Sequence, residues 1–137
     1  MPAMKVNLVT PEERLFNDEA SFVVVPGAEG VLGFLYSHAP VMTTLAGGEV
    51  KIEYGEDKKT EHFAVQGGFV GADGHRVMIL ATRASLLANE DSGDVKSRID
   101  DLEGRLKTLS EDAAERAFLE AELSWEHLLE KLLSKTS

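Results

Sequence analysis

Cysteine is absent from the chain, which rules out disulfide bridges and thiolate metal sites. Basic residues are scarce: 14 Lys and Arg stand against 24 Asp and Glu, a formal net charge of −10. Recognition of a phosphate backbone rests on clustered cations that displace counterions, so nucleic acid is excluded as a partner class and an anionic membrane surface is a poor one. The acidity is not gathered into a tail, because residues 1–90 and residues 91–137 each carry 12 acidic and 7 basic side chains. No apolar run approaches the ~20 residues of a membrane-spanning helix. Met1-Pro2-Ala3-Met4-Lys5 leads straight into a strand pattern, not into a basic-then-apolar leader. A protein of the cytoplasm, without membrane insertion, is expected.

With 137 residues and 43% hydrophobic content, the chain supports one moderate core and a smaller appendage. Up to about residue 88 the apolar residues come in short runs separated by turn signals: Lys5–Thr10, Phe22–Val25, Val31–Leu35, Val50–Tyr54, Thr60–Val65, Phe69–Ala72 and Arg76–Ala84. That spacing predicts an antiparallel all-β sandwich or barrel over residues 1–88. Gly55-Glu56-Asp57-Lys58-Lys59 and Ala72-Asp73-Gly74-His75 read as hairpin connections, the second with an Asp-Gly pair that favours a type I′ turn. In Val50-Lys51-Ile52-Glu53-Tyr54 the apolar side chains share one face and the charged ones the other, so one face of that strand is wet.

After Asn89-Glu90-Asp91-Ser92-Gly93-Asp94, a cluster rich in helix starters, the period changes from two to helical spacing. Val95, Ile99, Leu102, Leu106 and Leu109 draw one apolar stripe down a helix of four or five turns. Ser110 is expected to cap a second helix, with Glu111 and Asp112 at the positive end of its dipole, and Ala114, Phe118, Ala121, Trp125, Leu128 and Leu132 to form its stripe. Neither helix could bury its stripe alone, so residues 89–137 are predicted to form an antiparallel helical hairpin. Glu122, Glu126 and Glu130 form a like-charge row at i, i+4 spacing, which disfavours the helix unless a cation, Arg98 or Arg105 of the first helix, neutralises it.

The stretch richest in information is Gly30 to Leu45, where turn glycines, an apolar run and a His-Ala-Pro corner arrive together. Gly30 and Gly33 let the backbone bend, Pro40 pins φ at the far end, and Val31, Leu32, Phe34, Leu35 and Tyr36 are too apolar for a loop that faces only water. Such a segment either folds inward or meets a partner. Catalytic chemistry is not expected. His38, His62, His75 and His127 are scattered without ligand spacing, so no metal site is assigned. Ser37-His38 with Asp57 or Asp73 lacks a nucleophile elbow. Gly67-Gly68 has no Gly-Lys-Ser/Thr behind it and reads as a strand bend or bulge, not a phosphate cradle.

In order and spacing these segments resemble the epsilon subunits of F-type ATP synthases. The resemblance rests on Leu8-Val9-Thr10-Pro11-Glu12 with Leu15-Phe16, the Gly30-Val31-Leu32-Gly33 turn with His38-Ala39-Pro40 and Thr43, Gly47-Gly48-Glu49-Val50, and Gln66-Gly67-Gly68-Phe69-Val70, and it is specific over residues 4–88. It implies a β-sandwich followed by two helices, and a non-catalytic central-stalk component that couples proton flow to rotation at the cytoplasmic face of the membrane. It implies the gamma subunit and the ring of c subunits as partners, with the alpha and beta catalytic subunits reached when the helices extend, and it places the contacts at Gly30, Val31, Leu32, Gly33, His38, Ala39, Pro40 and Thr43. Family members often carry a polar residue at the position of Val31, so an apolar ring contact is expected here. Some members also bind ATP in the helical part through an acidic residue followed three later by Arg-Ala. Here Asp94-Val95-Lys96-Ser97-Arg98-Ile99 puts Arg98 one place late, about 100° of helix rotation, and Ile99 where alanine would stand. Asp94 and Arg98 are therefore the only residues named for a regulatory nucleotide, and no other cofactor is expected. The competing reading from another class is a nucleotide- or small-molecule-sensing β-sandwich regulator.

Overall fold

The computed structural model describes residues 3–111 and 114–136. Its contacts divide the chain into two units, Met1–Leu86 and Leu87–Ser137.

The first unit holds seven strands: β1 (Met4–Val9), β2 (Arg14–Gly27), β3 (Gly30–Leu35), β4 (Val41–Thr44), β5 (Gly48–Tyr54), β6 (Lys59–Ala72) and β7 (Arg76–Leu86). All are antiparallel to their neighbours except the β1–β7 pair, which is parallel. Hydrogen bonding closes a ring, β1-β7-β6-β5-β2 and back to β1, with β3 added outside β2 and β4 beside β6. Two long strands make the closure by serving both layers of the sandwich. The first half of β2 pairs with β1 and its second half with β3 and β5. Between them the register shifts at Ser21, whose hydroxyl donates to the Glu53 carbonyl at 3.2 Å.

In β6 the residues up to Val65 pair with β5, and Phe69–Ala72 pair with β4. The two runs Thr60–Val65 and Phe69–Ala72 are thus one strand, bent at Gly67 (φ +72°) and Gly68 (φ +101°). A Cβ on Gly68 would overlap the Leu80 carbonyl oxygen, so only glycine fits. The bend shifts no register against β7 yet inverts which residues face the core. Phe63 and Val65 point inward before it and Val70 after it, and in β7 Val77, Ile79 and Ala81 give way to Ala84 and Leu86. The core between the layers is mostly aliphatic around Phe34 and Phe63: Val6, Leu8, Val23, Val50, Ile52 and Ile79 are fully buried, each worth roughly 1.5–3 kcal/mol relative to exposure.

The second unit opens with a single 3-10 turn, Leu87–Asn89, followed by α1 (Ser92–Thr108) and α2 (Ala114–Thr136). Asp91 caps α1, its carboxylate accepting the Asp94 N–H at 3.0 Å. Val95 and Ile99 are buried, and Leu102, Leu106 and Leu109 are half-buried, as the first stripe requires. The two helices pack as a hairpin. The second stripe needs correction. Ala114 and Ala121 are exposed and Phe118 is 64% exposed, while Leu119, Trp125, Leu129 and Leu132 are buried. Arg116 supplies the physical reason. Its guanidinium donates to the Leu106 and Leu109 carbonyls at 2.9 and 3.0 Å and to the Ser110 carbonyl at 3.3 Å, capping the end of α1 and fixing the rotation of α2. Ser110 and Glu111 precede the described start of α2, and Asp112 lies outside the described residues.

Candidate partner-binding surface

β2 and β3 form a hairpin through Ala28 and Glu29, closed at Gly27 and Gly30. Gly30 has open space around it but sits at φ +139°, which L side chains rarely adopt. The run Val31–Leu35 is strand, as its place among the predicted runs requires, and alternation decides what it shows. Leu32 and Phe34 turn to the core while Val31 and Leu35 turn out, 73% and 60% exposed. Gly33 lies under the Phe22 ring, 3.2 Å from where a Cβ would be.

The segment Tyr36–Pro40 is irregular but tied down. A turn joins the His38 N–H to the Leu35 carbonyl at 3.1 Å with Ser37 at φ +69°. His38 then grips two elements at once. The Gly74 N–H can only donate, so Nε2 of His38, 3.3 Å away, accepts; the ring proton therefore sits on Nδ1, which donates to the Leu35 carbonyl at 2.7 Å. The imidazole packs on Phe34 with centroids 4.8 Å apart, and Tyr36 meets His75 edge-on at 5.1 Å. Both nitrogens are spent on backbone, as a corner-shaping role requires.

The turn that receives this loop is closed by Asp73 and Arg76. Only Gly74 of its two central residues has positive φ, so it is not the expected type I′ turn, which needs positive φ at both. The Asp73 carboxylate accepts the His75 and Arg76 N–H groups at 3.1 and 2.9 Å, which orders the turn from the other side. Those two bonds, His75 first, hold its carboxyl below the usual value.

Beyond Pro40, itself exposed, β4 turns Met42 outward at 79% exposure. Met42 lies opposite Gly71, and Gly71 opposite Met78, in a row across β4, β6 and β7. The Met42 methyl comes within 3.8 Å of the position of a Gly71 Cβ, and Met78 and Phe69 are 41% and 43% exposed. Two hollows flank Met42. One, of about 380 Å³, gathers Gly30, Val31, Leu32 and Thr43; the other, of about 530 Å³, is lined by Pro40, Gly71 and Met78. Of the sequence-derived candidates, Gly30, Val31, Leu32, Thr43 and Pro40 thus adjoin one apolar strip, whereas Gly33, His38 and Ala39 line neither hollow. Met42, Phe69 and Met78 were missed. The signal was the inward Val70 and Ile79, which force Phe69 and Met78 outward once the Gly67-Gly68 bend is known.

In the helical unit Asp94 sits in the first turn of α1 and Arg98 one turn on. Arg98 is engaged: Nε donates to Glu126 at 2.9 Å and an NH2 to Glu90 at 3.1 Å. The Glu126 hydrogen bond is the main cause that raises the arginine further above its ordinary value. Arg105 pairs with Asp101 of its own helix at 3.3 Å. The hollow at the start of α1, about 640 Å³, is lined by Asp91, Ser92, Lys96 and Glu130 among others, but by neither Asp94 nor Arg98. Among the described residues no group of three or more His, Asp or Glu side chains is placed to hold a metal ion, and no helix is long and apolar enough to cross a membrane.

Comparison with known proteins adds an independent line. The family described as "ATP synthase, Delta/Epsilon chain, beta-sandwich domain" matches residues 3–86. The ATP synthase epsilon chain of Gloeothece citriformis is 31% identical over 122 residues, 89% of this chain and 87% of that one. Among solved structures, a chain of the Euglena gracilis mitochondrial ATP synthase OSCP/F1/c-ring assembly superposes with a TM-score of 0.76 at 22% identity, covering 97% of this chain and 82% of its own. A chain of the Tetrahymena thermophila mitochondrial ATP synthase central stalk/c-ring gives a TM-score of 0.56 at 17% identity over 95% and 96%. These two likenesses concern the fold. From the matched β-sandwich and the near full-length likeness to an epsilon chain, the chain belongs to the ATP synthase epsilon-chain family, non-catalytic accessory subunits of that complex.

Proposed function

We propose that the chain is a rotor part of its ATP synthase, docking through the sandwich onto the gamma subunit and the c-ring at the cytoplasmic face of the membrane and transmitting rotation without chemistry of its own. One observation carries the reading: a strip of exposed apolar side chains, Val31, Met42 and Met78, on a protein whose net charge is −10. An apolar patch rimmed by polar residues marks a contact surface. The complexes that hold chains of like fold, described as OSCP/F1/c-ring and central stalk/c-ring, indicate which partners to test.

The test is binding of the full chain to a gamma–c-ring subcomplex. Met42→Glu leaves the fold within about 0.5 kcal/mol, since the side chain is 79% exposed, and weakens binding by roughly tenfold or more. An apolar contact loses little affinity between about 0.05 and 0.5 M salt. Unchanged affinity of Met42→Glu, or steep loss of wild-type binding with salt, contradicts the reading. A regulatory nucleotide at Asp94 and Arg98 requires Arg98 to leave Glu126 and Glu90, and calorimetry of the full chain with ATP measures whether it does.

A further inference from the structure

Glu126 is the one charged side chain buried among the described residues, 5% exposed in the middle of α2. A carboxylate withdrawn from water is costly unless a cation meets it. Arg98 meets it from 28 residues away, Nε to Oε1 at 2.9 Å. The same guanidinium reaches Glu90, in the segment before α1, whose own N–H donates to the Leu87 carbonyl at 3.0 Å. One side chain therefore joins three points of the unit: the entry segment, α1 and α2. Glu122 and Glu130 stand one turn to either side of Glu126 on the same helix, so every near neighbour of its own kind repels it. Were Arg98 removed, the charge on Glu126 could be relieved by letting α2 swing its carboxylate into water.

We infer that Arg98 is a latch: its guanidinium holds the helical hairpin closed through Glu126, and loss of that cation lets α2 part from α1. The latch concerns residues 87–137 and is independent of where the sandwich docks.

The full chain supplies its own probe, since Trp125 is the only tryptophan and is 3% exposed next to Glu126. Arg98→Met keeps the aliphatic bulk and removes the cation. The expected result is red-shifted Trp125 emission and amide exchange in α2 faster by about tenfold or more, with β5 to β7 unchanged. Arg98→Met/Glu126→Met removes the orphaned charge as well and returns emission and exchange toward the wild type. If the single variant loses the hairpin altogether, the double variant still decides: recovery supports the latch, and continued loss overturns it. Wild-type emission and exchange in Arg98→Met overturn it too. Methylguanidinium added to Arg98→Ala restores the blue-shifted emission, whereas no response overturns the role given to the guanidinium.

Discussion

In the β unit Val31, Met42 and Phe69 leave 73%, 79% and 43% of their surface to solvent, whereas in the helical unit Glu126 leaves only 5%. Each departs from the ordinary distribution of side chains, in opposite directions, and the physics that tolerates them differs. The exposed methionine costs the isolated fold little and gains its value when water is driven off by a partner. The buried glutamate is costly at once and is kept only by the guanidinium that meets it. An unsatisfied surface points outward to something not in the molecule; a satisfied buried charge points inward, to one arrangement of two helices over its alternatives. On the two proposals above, the β unit is built to be completed and the hairpin to be held.

The largest way to break the outward half of this comparison is at the bend that creates it. Gly68→Ala meets the Leu80 carbonyl as well as an unfavourable φ of +101° and is expected to cost about 4 kcal/mol or more. A new Cβ on Gly67 meets a φ of +72° and comes 2.9 Å from the Thr82 hydroxyl, a side-chain atom and not backbone, so Gly67→Ala is expected to cost less, about 1–3 kcal/mol. Urea titration followed through the amide NMR signals of β6 and β7 gives both numbers. Equal costs would show that the strip does not depend on the close approach at Gly68.

The inward half is sharpened by comparing the two arginines of the hairpin. Arg98 answers a buried carboxylate, while Arg116 answers backbone carbonyls at the end of α1. Water can replace Arg116 far more readily, since those carbonyls lie at a helix terminus. Arg116→Ala is therefore expected to cost about 1–2 kcal/mol, less than Arg98→Met. Thermal unfolding read at Trp125 reports the helical unit without requiring both units to melt together. A larger loss for Arg116→Ala would reverse the ranking and make the turn, not the ion pair, the main fastening.

Much of the fold was legible because period and turn chemistry act locally. Val50-Lys51-Ile52 declared its wet face, and the Val95-to-Leu109 stripe its buried one. The failures have two causes, a backbone bend at glycine and side chains that act across the chain. Alternation carried through Gln66-Gly67-Gly68-Phe69 would turn Phe69 inward; two positive-φ glycines invert it, so the exposed ring and the row through Met42 and Met78 stayed invisible. The stripe of α2 is right at Trp125 and Leu132 and wrong at Ala114, Phe118 and Ala121, near which Arg116, counted only as a scarce cation, grips the carbonyls of α1. The apolar run at Val31 to Leu35 pointed to this part of the surface, but which of its residues share a hollow follows from β4 lying across from the β2–β3 turn. Arg98 was named both as a nucleotide ligand and as a cation for the acidic row, and only coordinates show where its guanidinium goes.

The smallest effect concerns how firmly the loop beside the strip is seated. Asp73, with a carboxyl held below the usual range by the His75 and Arg76 N–H groups, orders the turn on which Ser37 and His38 rest through Gly74. Because the folded state binds that proton less readily than the unfolded chain, the contribution is complete above the unfolded value of about 4. It disappears as pH falls through the lower folded value. The side chain is exposed, so the change is local, not a loss of the fold. In an NMR titration the amide signals of His75 and Arg76 are expected to move together below about pH 4, with Gly74 and His38 following, and to stay still in Asp73→Asn. Movement of His75 and Arg76 without any response at Gly74 or His38 would mean that the loop is held by Tyr36 and the His38–Leu35 bonds alone, and that its seat beside the apolar strip does not depend on the β6–β7 turn.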